Sequence, residues 1–138
     1  MSISVGDRLP EWLLPRVSRE KMKTMALVLD DPNPIHWDLA AVRGLGMGER
    51  PINQGPNNMA YVMNMLADWA GGHEHLRRLR VRFQANVLGD DEVVARGTVV
   101  ALRVEGGRTL AECDVELVGA AGAVALSGTA TVDVSGRA

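Results

Sequence analysis

The chain has 138 residues, of which 46% are hydrophobic and 23% charged, with 15 Lys and Arg against 17 Asp and Glu and a formal net charge of −2. This length and composition predict one globular domain over residues 1–138, and the net charge argues against a basic surface for nucleic acid. No apolar run in the sequence approaches the roughly 18–20 residues that cross a membrane. The single cysteine excludes an intrachain disulfide, and the absence of a secretory pattern at the N-terminus favours a cytoplasmic protein.

The first half of the chain predicts helices separated by proline- and glycine-rich segments. Residues 1–17 are mixed and allow one strand or two. Ser18 is a typical N-cap, and the apolar residues after it recur at helical spacing, which predicts an amphipathic helix over 19–29. One short helical turn or two fit residues 38–43. Residues 57–70 predict the longest helix, which is mostly buried.

After Gly71 and Gly72 the hydrophobic period changes from that of a helix to that of a strand. Apolar and polar residues alternate through the first such segment, and glycine-containing turns separate the segments that follow. The predicted strands are 78–87, 91–104, 109–118 and 123–134. Hairpin-linked strands after one buried helix indicate an α+β fold, in which an antiparallel sheet lies against or around that helix.

The segment most informative about chemistry is Asp31-Pro32-Asn33-Pro34-Ile35-His36. It places a carboxylate, a carboxamide and an imidazole on backbone that two prolines stiffen. Asp31 and His36 can hold one water from two sides for acid–base chemistry, and Asn33 can hold a substrate or orient the pair. The same residues also form ordinary turns, in which Asp and Asn bind only local backbone, so the pattern alone leaves both interpretations open.

A resemblance to a known family joins this segment to a second motif. Residues 29–36, preceded by a helix, resemble the signature of the MaoC-like (R)-specific enoyl-CoA hydratases. Residues 50–55, Arg-Pro-Ile-Asn-Gln-Gly, are similar to the Pro-Ile-x-His-Gly segment of that family and also lead into a long helix. The resemblance covers residues 17–134. It implies the hotdog fold, in which a curved antiparallel sheet wraps a long central helix, usually paired with a second hotdog domain.

The resemblance also implies roles for individual residues. Asp31 and His36 would form the catalytic dyad, with Asn33 as the supporting polar residue. The backbone N–H of Gly55 would act as an oxyanion hole, which agrees with the preference of helix N-termini for negative charge. The implied reaction is reversible hydration of a 2-enoyl-CoA to a 3-hydroxyacyl-CoA, with no cofactor and no metal.

Three positions depart from the family pattern. Asp30 stands where glycine is usual, and we expect it to be a helix-end residue. Gln54 replaces the usual His, and we count it among the substrate-binding candidates. Pro56 has no N–H, so Gly55 would act without help from that amide.

Arginines are the candidates for contacts to the CoA phosphates. Arg43 and Arg50 lie nearer the motif in sequence and are the preferred candidates. Arg78, Arg80 and Arg82 share one strand face, for which a solvated surface is the favoured interpretation. His73 and His75 lie in a separate loop, so they do not complete a metal site with His36.

Several functions stay open beside the hydratase. The chain also resembles the small subunits of heteromeric hydratases that act on steroid side chains, where a second hotdog chain completes the pocket. A non-catalytic acyl-CoA-binding subunit and a hotdog thioesterase are further alternatives. The expected partners are an acyl-CoA thioester and either a second copy or another hotdog chain.

Overall fold

The computed structural model describes residues 2–137 and contains three α-helices and one sheet. The helices are α1 (Arg19–Val28), α2 (Leu39–Gly44) and α3 (Gly55–Ala70). The sheet has five antiparallel strands in the order β1-β3-β4-β5-β2. Their bounds are Trp12–Leu14 for β1, Leu76–Phe83 for β2, Val93–Glu105 for β3, Arg108–Val118 for β4 and Val124–Asp133 for β5.

The sheet packs its apolar face against α3, whose inward residues belong to the same core as the strands. Val62, Met65 and Leu66 of α3 are almost completely buried. Gly97 on β3 permits this close approach, because a Cβ there would lie 3.2 Å from the Met65 methyl carbon and 3.1 Å from Leu9 Cδ2. A helix enclosed by one antiparallel sheet is the α+β hotdog architecture, so the predicted fold class is confirmed.

The predicted strand over 78–87 is too long at its end. Strand β2 stops at Phe83, and the N–H groups of Gln84 and Ala85 both donate to the carbonyl oxygen of Ala125, at 2.8 and 3.1 Å. The chain then leaves the sheet, and the Val87 carbonyl accepts from the N–H of Asn53 at 2.7 Å. The strand therefore ends where its backbone stops bonding to β5 and begins to bond to the segment that precedes α3.

The remaining predicted elements agree closely with the structure. The predicted helix over 19–29 corresponds to α1, and the predicted helix over 57–70 begins two residues earlier, at Gly55. Within residues 2–17 there is one strand, β1, together with an isolated bridge between Arg8 and Thr98. In the described part of the chain, no helix has both the length and the apolar character needed to cross a membrane.

Candidate active site

Helix α1 ends in a Schellman motif that presents Asp31. The N–H of Asp30 donates to the carbonyl of Leu27 at 3.2 Å, and the N–H of Asp31 donates to the carbonyl of Ala26 at 2.9 Å. Asp30 has a φ of 50°, the left-handed conformation that glycine adopts most readily and that Asp tolerates better than most residues. Asp30 is therefore a helix-end residue, as predicted, and its backbone explains why glycine suits this position.

Two local turns bring Asp31 and His36 together. Asp31 Oδ1 accepts from the N–H of Asn33 at 3.0 Å, and Asn33 Oδ1 accepts from the N–H of Ile35 at 3.3 Å. The second contact caps a 3-10 helix over Pro34–His36. As a result, Asp31 Oδ2 lies 3.2 Å from His36 Nε2, while Asn33 is exposed and its side-chain oxygen serves as a cap.

The ring of His36 is buried and held from behind. Its Nδ1 lies 2.5 Å from the carbonyl oxygen of Ile52, and because a carbonyl only accepts, Nδ1 carries the hydrogen of this bond. In neutral His36 the Nε2 lone pair therefore faces the Asp31 carboxylate. At 3.2 Å there is no room for a water between the two atoms, so a direct hydrogen bond needs a proton on one of them, as an imidazolium or as a carboxylic acid. This geometry allows the pair to share a proton at His36 Nε2.

The segment that anchors His36 also leads into α3. The N–H of Ile52 donates to the carbonyl of Ile35 at 2.9 Å, so Ile52 binds this part of the chain through both its N–H and its carbonyl. On its other side Ile52 bridges to Leu88, next to the bond between Asn53 and Val87. The residue whose carbonyl orients the His36 ring, Ile52, therefore lies only a few residues before the start of α3 in the chain.

Gly55 opens α3 with an N–H that has no acceptor among residues 2–137. Gln54 is the N-cap, its carbonyl accepts from the N–H groups of Asn57 and Asn58, and Pro56 has no N–H. The ring of Phe83 covers the Gly55 Cα, since a Cβ on Gly55 would lie 3.1 Å from Phe83 Cζ. A larger residue here would therefore require the Phe83 ring to shift by a small amount.

A buried network of side-chain amides surrounds the start of α3. Gln54, which is 1% exposed, donates from Nε2 to the carbonyl of Met22 in α1 at 2.8 Å and accepts at Oε1 from Asn57 Nδ2 at 3.0 Å. Both polar ends of the side chain are thus bound within the protein. Gln54 therefore ties α1 to the start of α3, and its predicted role in substrate binding stays a prediction.

The network continues through residues whose roles the sequence did not reveal. Asn53 accepts from Asn57 Nδ2 and donates to Asn58 Oδ1 at 2.8 Å and to the Tyr61 hydroxyl oxygen at 3.1 Å. Burial raises the pKa of Tyr61, and the bond from Asn53 partly opposes that rise. The signal for this network is the row of carboxamides at 53, 54, 57 and 58, which is unusual at the start of a buried helix.

The structure does not bring the two preferred arginines to the dyad. Arg43 is largely exposed and forms an ion pair with Glu49. Arg50 donates from Nη1 to the carbonyl of Gly89 and to Asp91 Oδ1, both at 2.8 Å, and so holds the turn before β3. Within residues 2–137 neither side chain hydrogen-bonds to the acid or the imidazole of the pair.

An open, largely apolar cleft of about 510 Å³ adjoins the carboxylate of Asp31. Neither His36 nor Gly55 lines it. Leu27, at the edge of the cleft, is 84% exposed, and Trp37 is partly exposed. The lining consists of apolar Ala26, Leu27, Pro32 and Trp37 with polar Lys23, Asp30 and Asp31. Its surface suits the hydrocarbon part of a ligand, with the carboxylate at one edge.

The pKa values of two groups away from the dyad are shifted by their surroundings. Burial, together with the neighbouring Glu112 and Asp114, raises the pKa of the Cys113 thiol to about 12. Hydrogen bonds from Ser135, followed by contacts from Arg108 and Arg77, hold the pKa of Asp133 well below its usual range. In the part of the chain that the structure describes, no cluster of three or more His, Cys, Asp or Glu is placed to hold a metal ion.

The comparison with family models identifies the class of protein that this fold and acid–imidazole pair define. The model described as "MaoC like domain" matches residues 12–119, most of the chain. The chain belongs to the MaoC-like dehydratase family. A comparison with curated protein sequences gives no significant match.

Solved structures with the same architecture include named hydratases. An (R)-hydratase from A. caviae involved in PHA biosynthesis has a TM-score of 0.83 and 26% identity, over 95% of this chain and 96% of that one. A MaoC-like dehydratase from Rhodospirillum rubrum has a TM-score of 0.79 and 25% identity, over 96% and 93%. The ChsH1-ChsH2 complex from Mycobacterium tuberculosis shares the fold at 21% identity and a TM-score of 0.78, over 94% and 97%.

Proposed function

We propose that this chain catalyses the reversible hydration of a 2-enoyl-CoA to a 3-hydroxyacyl-CoA. The observation that carries the proposal is the distance of 3.2 Å between Asp31 Oδ2 and His36 Nε2, with the opposite ring nitrogen fixed by the Ile52 carbonyl. A pair of this kind acts as base and acid in turn. The 26% identity to a named (R)-hydratase supports the same reaction type.

In the hydration direction the thioester oxygen accepts a hydrogen bond from the N–H of Gly55, which draws electrons from the β-carbon. Asp31 takes a proton from water as the water oxygen bonds to the β-carbon. Protonated His36 gives its Nε2 proton to the α-carbon, and the proton on Asp31 then passes to His36 and restores the pair. One oxyanion donor contributes about 3–4 kcal/mol to lowering such a barrier, and a positioned acid or base contributes roughly 10²–10⁴ in rate.

The exposed groups near Asp31 and on Arg43 indicate where the acyl chain and the CoA phosphate would bind. The acyl chain would lie in the apolar cleft beside Asp31. Arg43 stays the candidate for a CoA phosphate, because its side chain is 55% exposed and that of Arg50 is 36% exposed. The assembly would include a second hotdog chain.

Turnover of crotonyl-CoA tests the proposal, followed both as loss of enoyl absorbance and as release of free thiol. We expect absorbance loss without thiol release, and we expect Asp31→Asn and His36→Ala each to lower turnover at least about a hundredfold. Asp30→Asn is the matched control, because it makes the same chemical change one residue earlier at a position that tolerates Asn. Near-normal turnover in both dyad variants would refute the assignment, and stoichiometric thiol release would indicate a thioesterase instead.

A further inference from the structure

Asn53 lies between the two groups that the proposed reaction requires. It follows Ile52, whose carbonyl orients the His36 ring, and it precedes Gly55, whose N–H has no acceptor among residues 2–137. The N–H of Asn53 donates to the carbonyl of Val87 at 2.7 Å, so the main chain at this position is fixed to the segment after β2. The geometric relation between the His36 ring and the Gly55 N–H therefore passes through Asn53.

The side chain of Asn53 is occupied by hydrogen bonds to the first two turns of α3. Its Nδ2 donates to Asn58 Oδ1 at 2.8 Å and to the Tyr61 hydroxyl oxygen at 3.1 Å, and its Oδ1 accepts from Asn57 Nδ2 at 3.0 Å. Asn53 is 4% exposed, so little water competes for these bonds. Tyr61 is held in turn by stacking on Trp12 of β1, with the ring centroids 5.6 Å apart and the planes inclined by 16°. One carboxamide therefore binds three residues of α3 at once.

These contacts replace the usual capping of a helix N-terminus. An N-cap side chain commonly accepts from a backbone N–H of the first turn, whereas the side chain of Gln54 makes no such bond. Instead, Asn57 and Asn58 are each bound twice, because the Gln54 carbonyl accepts from their N–H groups and the preceding residue binds their side chains. Gly55 is thus enclosed between bound residues on both sides, and this enclosure fixes the direction of its N–H.

We propose that Asn53 is a positioning residue, which holds the Gly55 N–H in the direction required to bind the thioester oxygen. This inference rests on the proposed hydratase function. An oxyanion donor acts most strongly in the transition state, because the oxygen gains negative charge there, and its effect depends on alignment. Loss of the Asn53 contacts should therefore lower kcat, while KM for the thioester changes little.

Asn53→Leu tests the proposal, because Leu keeps the branched shape of the side chain and removes all three hydrogen bonds. We expect kcat for the hydration of crotonyl-CoA to fall about 10- to 100-fold, with KM within about threefold of wild type. The double variant Asn58→Ala, Tyr61→Phe leaves position 53 intact and removes both acceptors of its Nδ2, and we expect kcat to change in the same direction. This second variant decides the question if Asn53→Leu does not fold.

A measurement that does not depend on turnover accompanies the kinetics. In both variants we expect the NMR order parameter of the Gly55 amide to fall from a rigid value of about 0.85 toward the flexible range below about 0.6. Val62→Ala is the matched control, because Val62 is a fully buried core residue of α3 whose truncation lowers stability without removing these hydrogen bonds. We expect this control to retain both the wild-type kcat and the wild-type order parameter of Gly55.

The two measurements separate failure of this inference from failure of the proposed function. If wild type does not hydrate crotonyl-CoA, the proposed function fails, and the order parameter of Gly55 alone decides whether Asn53 positions its N–H. If wild type is active, an unchanged kcat or an unchanged order parameter in the folded variants overturns the inference. An equal loss of kcat in Val62→Ala would also overturn it, because the loss would then follow from general stability.

Discussion

Replacement of Gln54 by Met separates a structural role for this side chain from a substrate-binding one. Met has nearly the same length and volume, so the change leaves little cavity. It removes the donor to the Met22 carbonyl and the acceptor of Asn57, two hydrogen bonds in a position that is 1% exposed.

The expected loss of unfolding free energy follows from the hydrogen bonds that Met22 and Asn57 retain in the variant. Asn57 Nδ2 retains its bond to Asn53 Oδ1, so its amide loses one of two acceptors. Each buried hydrogen bond contributes about 1 kcal/mol net, and a group left unsatisfied costs about 1–3 kcal/mol. Because Asn57 stays partly satisfied and the added thioether is apolar, we expect the free energy of unfolding to fall by about 2 kcal/mol.

Urea denaturation measures this change, with the slope of the transition checked for constancy. Gln84→Met is the matched control, because Gln84 is exposed and its bond to the Ser127 hydroxyl is at the surface, so we expect a loss below about 0.5 kcal/mol. If Gln54→Met destabilises the protein no more than Gln84→Met, the network does not stabilise the fold. A raised KM for crotonyl-CoA with unchanged stability would show that Gln54 binds substrate after all.

Two further predictions concern groups outside the site. Because the pKa of Asp133 is lowered in the folded state, its ionised form stabilises the fold above about pH 4, and this stabilisation is lost as the pH falls further. A series of urea titrations should therefore show that the free energy of unfolding falls more steeply below about pH 4 for wild type than for Asp133→Asn. Cys113 is buried with a raised pKa, so a thiol reagent at about pH 8 should modify it only after denaturation, and stoichiometric labelling of the folded protein would contradict this.

The strands after α3 could be predicted closely because their signals are local. Alternating apolar residues mark the faces, and Gly106 and Gly107, with φ of 58° and 77°, form the turn between β3 and β4 that the sequence indicates. The end of β2 could not be predicted in this way. Residues 84–87 continue the alternation, yet Gln84 and Ala85 share one acceptor on β5, and Val87 and Leu88 pair with Asn53 and Ile52, a contact between distant parts of the chain.

The candidate site also combines features set by local sequence with features set by contacts between distant parts of the chain. Asp31, Asn33 and His36 lie within six residues on proline-stiffened backbone, so their proximity is a local property and was predicted from the motif. The anchor of His36 is the carbonyl of Ile52, and a carbonyl leaves no mark in the sequence because every residue has one. The hydrogen bonds of Gln54 to Met22 and Asn57 could not be predicted for a related reason, since a polar residue beside a motif looks the same in the sequence whether it faces a ligand or the core.

This use of backbone anchors has a consequence for catalysis. The Ile52 carbonyl orients His36, the Ile52 N–H binds Ile35, and both bonds are independent of the side chain at position 54. Gln54→Met should therefore leave kcat near the wild-type value at temperatures where the variant is folded, even while it lowers stability. In contrast, Asp31→Asn should leave stability nearly unchanged, because Asp31 is partly exposed, and should remove turnover. The opposite responses of these two variants separate the residues that hold the site from the residues that would perform its chemistry.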